Sequence, residues 1–101
     1  MIDLKQLQKR IFDNKVRQGF NTTNVHQEFC YLHEEASEAC HAYNQKLPDL
    51  GEELADTAIY LLGLAEMLDI NLEQEILNKM NKNEHREYRK IDGVITRVRD
   101  F

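Results

Sequence analysis

Between Asp56 and Asp69 the chain reads TAIYLLGLAEML, with Glu66 as the only charge. A segment of this kind, apolar on almost every side, is a helix enclosed by protein rather than one lying on a surface. A chain of 101 residues has few other elements with which to enclose it, and domains of this size bury a smaller share of their surface than larger ones do. The sequence therefore predicts an all-α domain whose third helix is covered by a second copy, in a homodimer or larger assembly. Four Gly and one Pro in the whole chain supply too few turns for an all-β fold. The longest apolar run, residues 58–65, is far short of the roughly 20 residues that a membrane span requires. The opening MIDLKQLQKR has no apolar stretch behind its charges, so no secretory leader and no membrane partner are expected, and the chain reads as cytoplasmic.

Four helices account for most of the length. The first runs from about Asp3 to Gln18, with Leu4, Leu7 and Ile11 at helical spacing, and stops at Gly19. After the loop GFNTTN, Asn24 or Thr23 caps a second helix to about Gln45, on which Val25, Phe29, Leu32, Ala36, Ala39 and Tyr43 trace a packing seam. Leu47-Pro48 ends it, Asp49 caps a third helix to about Leu68, and the short turn makes the two antiparallel neighbours. A fourth helix, about Leu72 to Glu87, would turn Ile76, Leu77 and Met80 inward. In RKIDGVITRVR, Asp92-Gly93 is a turn signal between β-favouring residues, which predicts a short hairpin or an arm on a partner subunit. The chain thus divides into a helical domain, 1–88, and a basic C-terminal hairpin or arm, 89–101. Cys30 and Cys40 are about 15 Å apart along one helix, too far to bridge, and read as reduced thiols.

The net charge of −5 is unevenly spread. From Glu34 to Glu75 there are eleven acids and one base, Lys46, whereas from Lys79 onward seven bases face four acids. An acidic centre of this kind argues against nucleic acid as the main partner, because nucleic-acid-binding surfaces concentrate Lys and Arg.

Within the acidic centre, Glu34, Glu35 and Glu38 form EExxE, and Glu53 and Asp56 form ExxD. Residues three apart on a helix point the same way, so two antiparallel neighbours would bring Glu35 and Glu38 against Glu53 and Asp56. The plain alternative is a solvated acidic face. Such a face normally mixes signs, yet no Lys or Arg lies within four residues of these five acids. Like charges about 5 Å apart repel by roughly 3 kcal/mol at an effective dielectric near 20, and divalent cations are the natural offset. An all-oxygen donor set selects hard ions, Mg²⁺ or Mn²⁺. Downstream, Lys79, Asn83 and Arg86 stand at i, i+4 and i+7, a stripe suited to phosphates.

This ordered set, EExxE, then ExxD, then KxxxNxxR before the chain's end, resembles the MazG-like nucleoside triphosphate pyrophosphohydrolases of the all-α superfamily, over about Phe20 to Arg86. The resemblance implies a four-helix bundle assembled as a dimer or tetramer, with sites near subunit interfaces. It implies Mg²⁺-dependent cleavage of a nucleoside triphosphate to the monophosphate and pyrophosphate, with Glu35, Glu38, Glu53 and Asp56 as metal ligands. Glu34 is then the candidate for orienting the attacking water. Tyr60, one turn beyond Asp56, is placed to reach the sugar or base, and Phe20 stands in the loop where related proteins often have an aromatic. The competing class is a non-enzymatic helical interaction module that uses the same apolar helix to hold a partner.

Overall fold

In a computed structural model, which describes residues 1–100, four helices are followed by a β-hairpin. Helix α1 covers Leu4–Gln18, α2 Val25–Asn44, α3 Leu50–Met67 and α4 Leu72–Glu84; strands β1, Arg86–Ile91, and β2, Val94–Asp100, pair antiparallel. Local chemistry sets the boundaries. The Asp3 side chain accepts from Gln6 N–H and that of Asn24 from Gln27 N–H, satisfying donors that a helix start leaves orphaned. Gly19 ends α1 in the left-handed region, at φ 75°, where a side chain would be strained. Asp49 stands at the N-cap of α3 but makes no capping hydrogen bond through its side chain.

Helix α4 is shorter than the sequence predicts. It ends at Glu84, His85 donates its N–H back to Asn81 and Lys82 carbonyls, and Arg86 already belongs to β1. The hairpin expectation holds: Asp92 and Gly93, at φ 50° and 81°, supply the two-residue turn whose twist matches its strands. The bundle is thus helical with one small sheet.

Helix α3 packs most extensively on α2 and, across another face, on α1. Leu62, Leu64 and Ala65 of α3 and Ala39 and Ala42 of α2 form the buried apolar core. Gly63 marks where α1 crosses α3. A methyl group there would stand 3.3 Å from Ile11 Cγ2 and 3.6 Å from Lys15 Cδ, so the close approach needs a residue without a side chain. The other end of α1 is tied to the turn before α4. Buried Gln8 donates to Ile70 C=O (2.8 Å) and accepts from Leu72 N–H (2.9 Å), and Glu73 accepts from Leu4 N–H (3.1 Å).

Two sequence expectations about packing need correction. The α2 surface that faces its neighbours runs through Glu28, Tyr31, Leu32, Glu35, Ala39 and Ala42, while Phe29, Ala36 and Tyr43 stay exposed. The seam is rotated toward the acids because Glu28 is buried in an ion pair rather than turned to water. Helix α4 buries none of its residues; Ile76, Leu77 and Met80 are 38%, 57% and 52% exposed instead of inward. Helix α4 touches α1 thinly and has no contact of that extent with α2 or α3, so the described residues leave that face largely uncovered. The Cα radius of gyration is 17.1 Å, against about 13 Å for a compact chain of 100 residues.

Candidate metal centre

Opposed pairs across α2 and α3 follow an antiparallel register: Tyr31 lies against Tyr60, Glu35 beside Asp56, and Glu38 beside Glu53. This register brings the two acid motifs together. Glu35, Glu38 and Glu53 each offer a carboxylate oxygen within 4.8 Å of the other two. Asp56 belongs to the same electrostatic neighbourhood, one turn along α3, where it also lines the adjoining groove. Glu34 is exposed on the far flank of Glu35 and acts on it through its charge. The charges of Glu34, Glu38 and Asp56 all act on Glu35, and Glu53 completes the five beside both Glu35 and Glu38.

The cluster is electrostatically unbalanced. Burial raises the Glu35 carboxyl above its ordinary 4.5, and the charges of Glu38, Asp56 and Glu34 push it further in the same direction. Burial likewise raises Glu53, followed by Glu38, Asp49 and Glu35. One oxygen each of Glu35 and Glu53 is buried with no hydrogen-bond partner. Buried carboxylate oxygens are ordinarily satisfied, and two orphaned oxygens beside a third carboxylate make a donor set that fits a hard divalent cation.

From Asp56 a groove of about 1010 Å³ opens between α1, α2 and α3. Leu7, Ile11, Ala58 and Ile59 give it apolar walls. At its polar end are the Tyr31 and Tyr60 rings, 5.9 Å apart and tilted by 55°. Burial, then the Glu35 and Glu28 charges, raise the Tyr60 hydroxyl above 10.0, so it stays protonated and available as a donor. Phe20 lies on the rim, 59% exposed.

Sequence reasoning missed the groove's buried ion pair. Lys15 of α1 pairs with Glu28 of α2 at 8% and 1% exposure, and Lys15 Nζ stands 5.8 Å from the Tyr60 ring centre. Asn21 donates to the other Glu28 oxygen at 3.0 Å, while its own side-chain oxygen accepts from Asn24 N–H at 3.0 Å. The signal was present in the spacing, since Glu28, Tyr31, Glu35 and Glu38 fall on one stripe of α2. The predicted phosphate stripe is placed differently. Lys79 and Asn83 are exposed on α4, and Arg86, at the start of β1, donates from Nη1 to Asn83 Oδ1 at 3.1 Å. Helix α4 packs on α1 and not to any comparable extent on α2 or α3.

Among the described residues no helix is long and apolar enough to cross a membrane. No curated protein and no solved structure matches the chain. A family model does, over residues 17–89, which holds both acid motifs, the buried ion pair's Glu28, the tyrosine pair and all of α4. With most of its length matched, the chain belongs to the MazG nucleotide pyrophosphohydrolase domain family.

Proposed function

We propose that this protein is a Mg²⁺-dependent nucleoside triphosphate pyrophosphohydrolase, with Mn²⁺ as a possible substitute, releasing a nucleoside monophosphate and pyrophosphate. The observation that carries the reading is the group of three carboxylates within 4.8 Å, two of them with orphaned buried oxygens, inside a chain of this family. Glu35, Glu38, Glu53 and Asp56 are the residues that would hold the ion. A bound divalent cation supplies charge neutralisation on the phosphates and an acidified water.

The residues divide the remaining work. Water attacks the α-phosphorus, the bond from that phosphorus to the α,β-bridging oxygen breaks, and the electron pair leaves with pyrophosphate. Glu34, exposed beside the cluster and not among the three gathered carboxylates, is free to orient that water and take its proton. The nucleoside extends into the groove, where the Tyr60 hydroxyl donates and Phe20 closes the rim. Lys79, Asn83 and Arg86 bind phosphate oxygens. The molecule works as a homodimer or homotetramer, which the uncovered apolar residues of α3 and α4 support; nucleic acid and membranes are not its partners, and the cytoplasm is its compartment.

The test is a panel of ribo- and deoxyribonucleoside triphosphates incubated with Mg²⁺ and assayed for both products. Monophosphate and pyrophosphate in equal amounts, lost in Glu38→Gln, support the reading. Release of orthophosphate instead, or turnover of no nucleotide, overturns it and favours a helical interaction module.

A further inference from the structure

We propose that Lys15 reads the nucleobase: Glu28 and Asn21 hold its ammonium at the inner wall of the groove, where it donates a hydrogen bond to a carbonyl oxygen of the base. The protein then favours 6-oxopurine and 4-oxopyrimidine nucleotides over their amino counterparts. The inference rests on the functional reading above for the presence of a nucleotide in the groove, but its geometric basis, a buried ion pair apart from the acid cluster, is separate.

Position along the groove assigns the base to this pair. Glu35, Tyr31 and Glu28 follow one another on one stripe of α2, and Asp56 and Tyr60 on α3, so the groove runs from the acids past the tyrosine rings to the ion pair. Glu28 stands seven residues from Glu35, two turns or about 10 Å along the helix. A triphosphate held at the acids puts its sugar beside the tyrosines, and the base is the part of the nucleotide that reaches as far as Lys15. Phe20, next to Asn21 on the rim, offers a ring to the face of that base.

The hydrogen bonds make Lys15, and not Glu28, the member that meets a ligand. Both Glu28 oxygens are engaged, one by Lys15 Nζ and the other by Asn21 Nδ2 at 3.0 Å. Asn21 is committed as well: it donates to Asn24 C=O at 2.8 Å and accepts from Asn24 N–H at 3.0 Å, which fixes it over the start of α2. An ammonium has three donors, and among the described residues the recorded acceptor of Lys15 is Glu28. The Lys15 side chain keeps 10% of its surface open against 1% for Glu28, and it lines the groove with its Nζ 5.8 Å from the Tyr60 ring centre. A buried ion pair is weak evidence for a gain in stability, because apolar residues of similar volume often serve as well. A buried donor with capacity to spare calls for an acceptor. The Tyr60 hydroxyl, kept protonated by burial, is another donor lining the same groove. A carbonyl oxygen satisfies this wall, whereas an exocyclic amino group would set N–H against N–H and leave the ammonium desolvated without a new partner.

Base substitution in the wild-type protein tests this. Deoxyinosine and deoxyadenosine triphosphates differ at C6 by an oxygen in place of an amino group, and deoxyuridine and deoxycytidine triphosphates differ likewise at C4. With Mg²⁺, kcat/KM is expected to favour the oxo member of each pair by about ten- to a hundredfold, the effect of one hydrogen bond to a charged group. Equal values within both pairs, or a preference for the amino members, overturn the proposal. Lys15→Met/Glu28→Leu replaces the pair as a unit and is expected to bring the members of each pair to similar kcat/KM; an oxo preference that persists in the folded double variant overturns the role of Lys15. A measurement on the wild type alone covers failure of that variant to fold. In protein labelled with ¹⁵N at lysine Nζ, the Lys15 ammonium resonance, assigned through its bonds, is expected to move on adding inosine monophosphate with Mg²⁺ and to stay in place with adenosine monophosphate. No movement with either, or the same movement with both, overturns the proposal. Wild-type turnover of no nucleotide overturns the functional reading instead, and the resonance then decides the role of Lys15 by itself.

Discussion

Neutralising Glu38 should stabilise the metal-free protein and inactivate the enzyme. Glu38 is the shared neighbour of Glu35 and Glu53, adding its charge to both. For the Glu35 pair alone, two unit charges within 4.8 Å repel by about 1 kcal/mol in a water-like medium and about 3.5 kcal/mol at an effective dielectric of 20. Glu38 is exposed and Glu35 only half-buried, so solvent screening favours the low end, about 1 kcal/mol. An amide at position 38 keeps the shape and adds two N–H donors beside the orphaned oxygens of Glu35 and Glu53. For a domain of this length, 1 kcal/mol moves the midpoint by about 4–8 °C. Thermal melts of wild type and Glu38→Gln in chelator should differ by that much, with the variant higher, and the gap should shrink in moderate salt. Millimolar Mg²⁺ should reverse the order, because wild type gains about 2.7 kcal/mol once the free ion reaches a hundredfold excess over its Kd, and the variant gains less. If the variant melts below wild type in chelator by the same margin as in Mg²⁺, Glu38 is a structural hydrogen-bonding group and the electrostatic reasoning is wrong.

Four other expectations bear on different parts of the molecule. Lys79→Ala and Arg86→Ala should each weaken binding of a non-hydrolysable nucleotide by about 1.5–3 kcal/mol, with Mg²⁺ affinity unchanged, as titration calorimetry will read. Lys15→Met leaves Glu28 buried at 1% exposure without its cation and should cost about 3–5 kcal/mol in chemical denaturation, much of it recovered when Glu28→Leu is added. Gly63→Val places side-chain atoms where a methyl alone would meet Ile11 at 3.3 Å; overpacking of about 1–3 kcal/mol should lower the midpoint. Because the folded-state values of Glu35 and Glu53 are raised above 4.5, the native state holds more protons than the unfolded chain in that window. The metal-free midpoint should therefore rise as pH falls from 7 toward the raised values, a slope that flattens in Glu35→Gln.

The acid cluster was legible in the sequence because it depends on two local facts: spacing within each helix and an antiparallel turn between them. EExxE and ExxD fix which carboxylates share a face, and Leu47-Pro48 fixes that the helices return on each other. The Asp-Gly turn was legible for the same reason, since its left-handed backbone is a property of two residues. Lys15 and Glu28 were not, because a charged side chain in an amphipathic helix ordinarily points to water. Only their mutual pairing across thirteen residues, with Asn21 holding the second oxygen, lets both be buried. That pairing turns the α2 seam from Phe29, Ala36 and Tyr43 toward Glu28, Tyr31 and Glu35, and so places the acids nearer the helix interface than their apolar neighbours suggested.

The packing of α4 was misread for a different physical reason. Ile76, Leu77 and Met80 form an apolar face by periodicity, and periodicity states that such a face avoids water without stating which chain provides the cover. Among the described residues, the hydrogen bonds of Gln8 and Leu4 tie the first turn of α4 to α1, and Ile76, Leu77 and Met80 beyond it are left to solvent. The apolar excess in α3 belongs to the same question: Leu62, Gly63, Leu64 and Ala65 are buried by the chain's own helices, whereas Leu54, Leu61 and Leu68 are left over. Periodicity in α3 and α4 thus marks which side chains avoid water, and burial within the described residues settles the matter for the first set and not for the second.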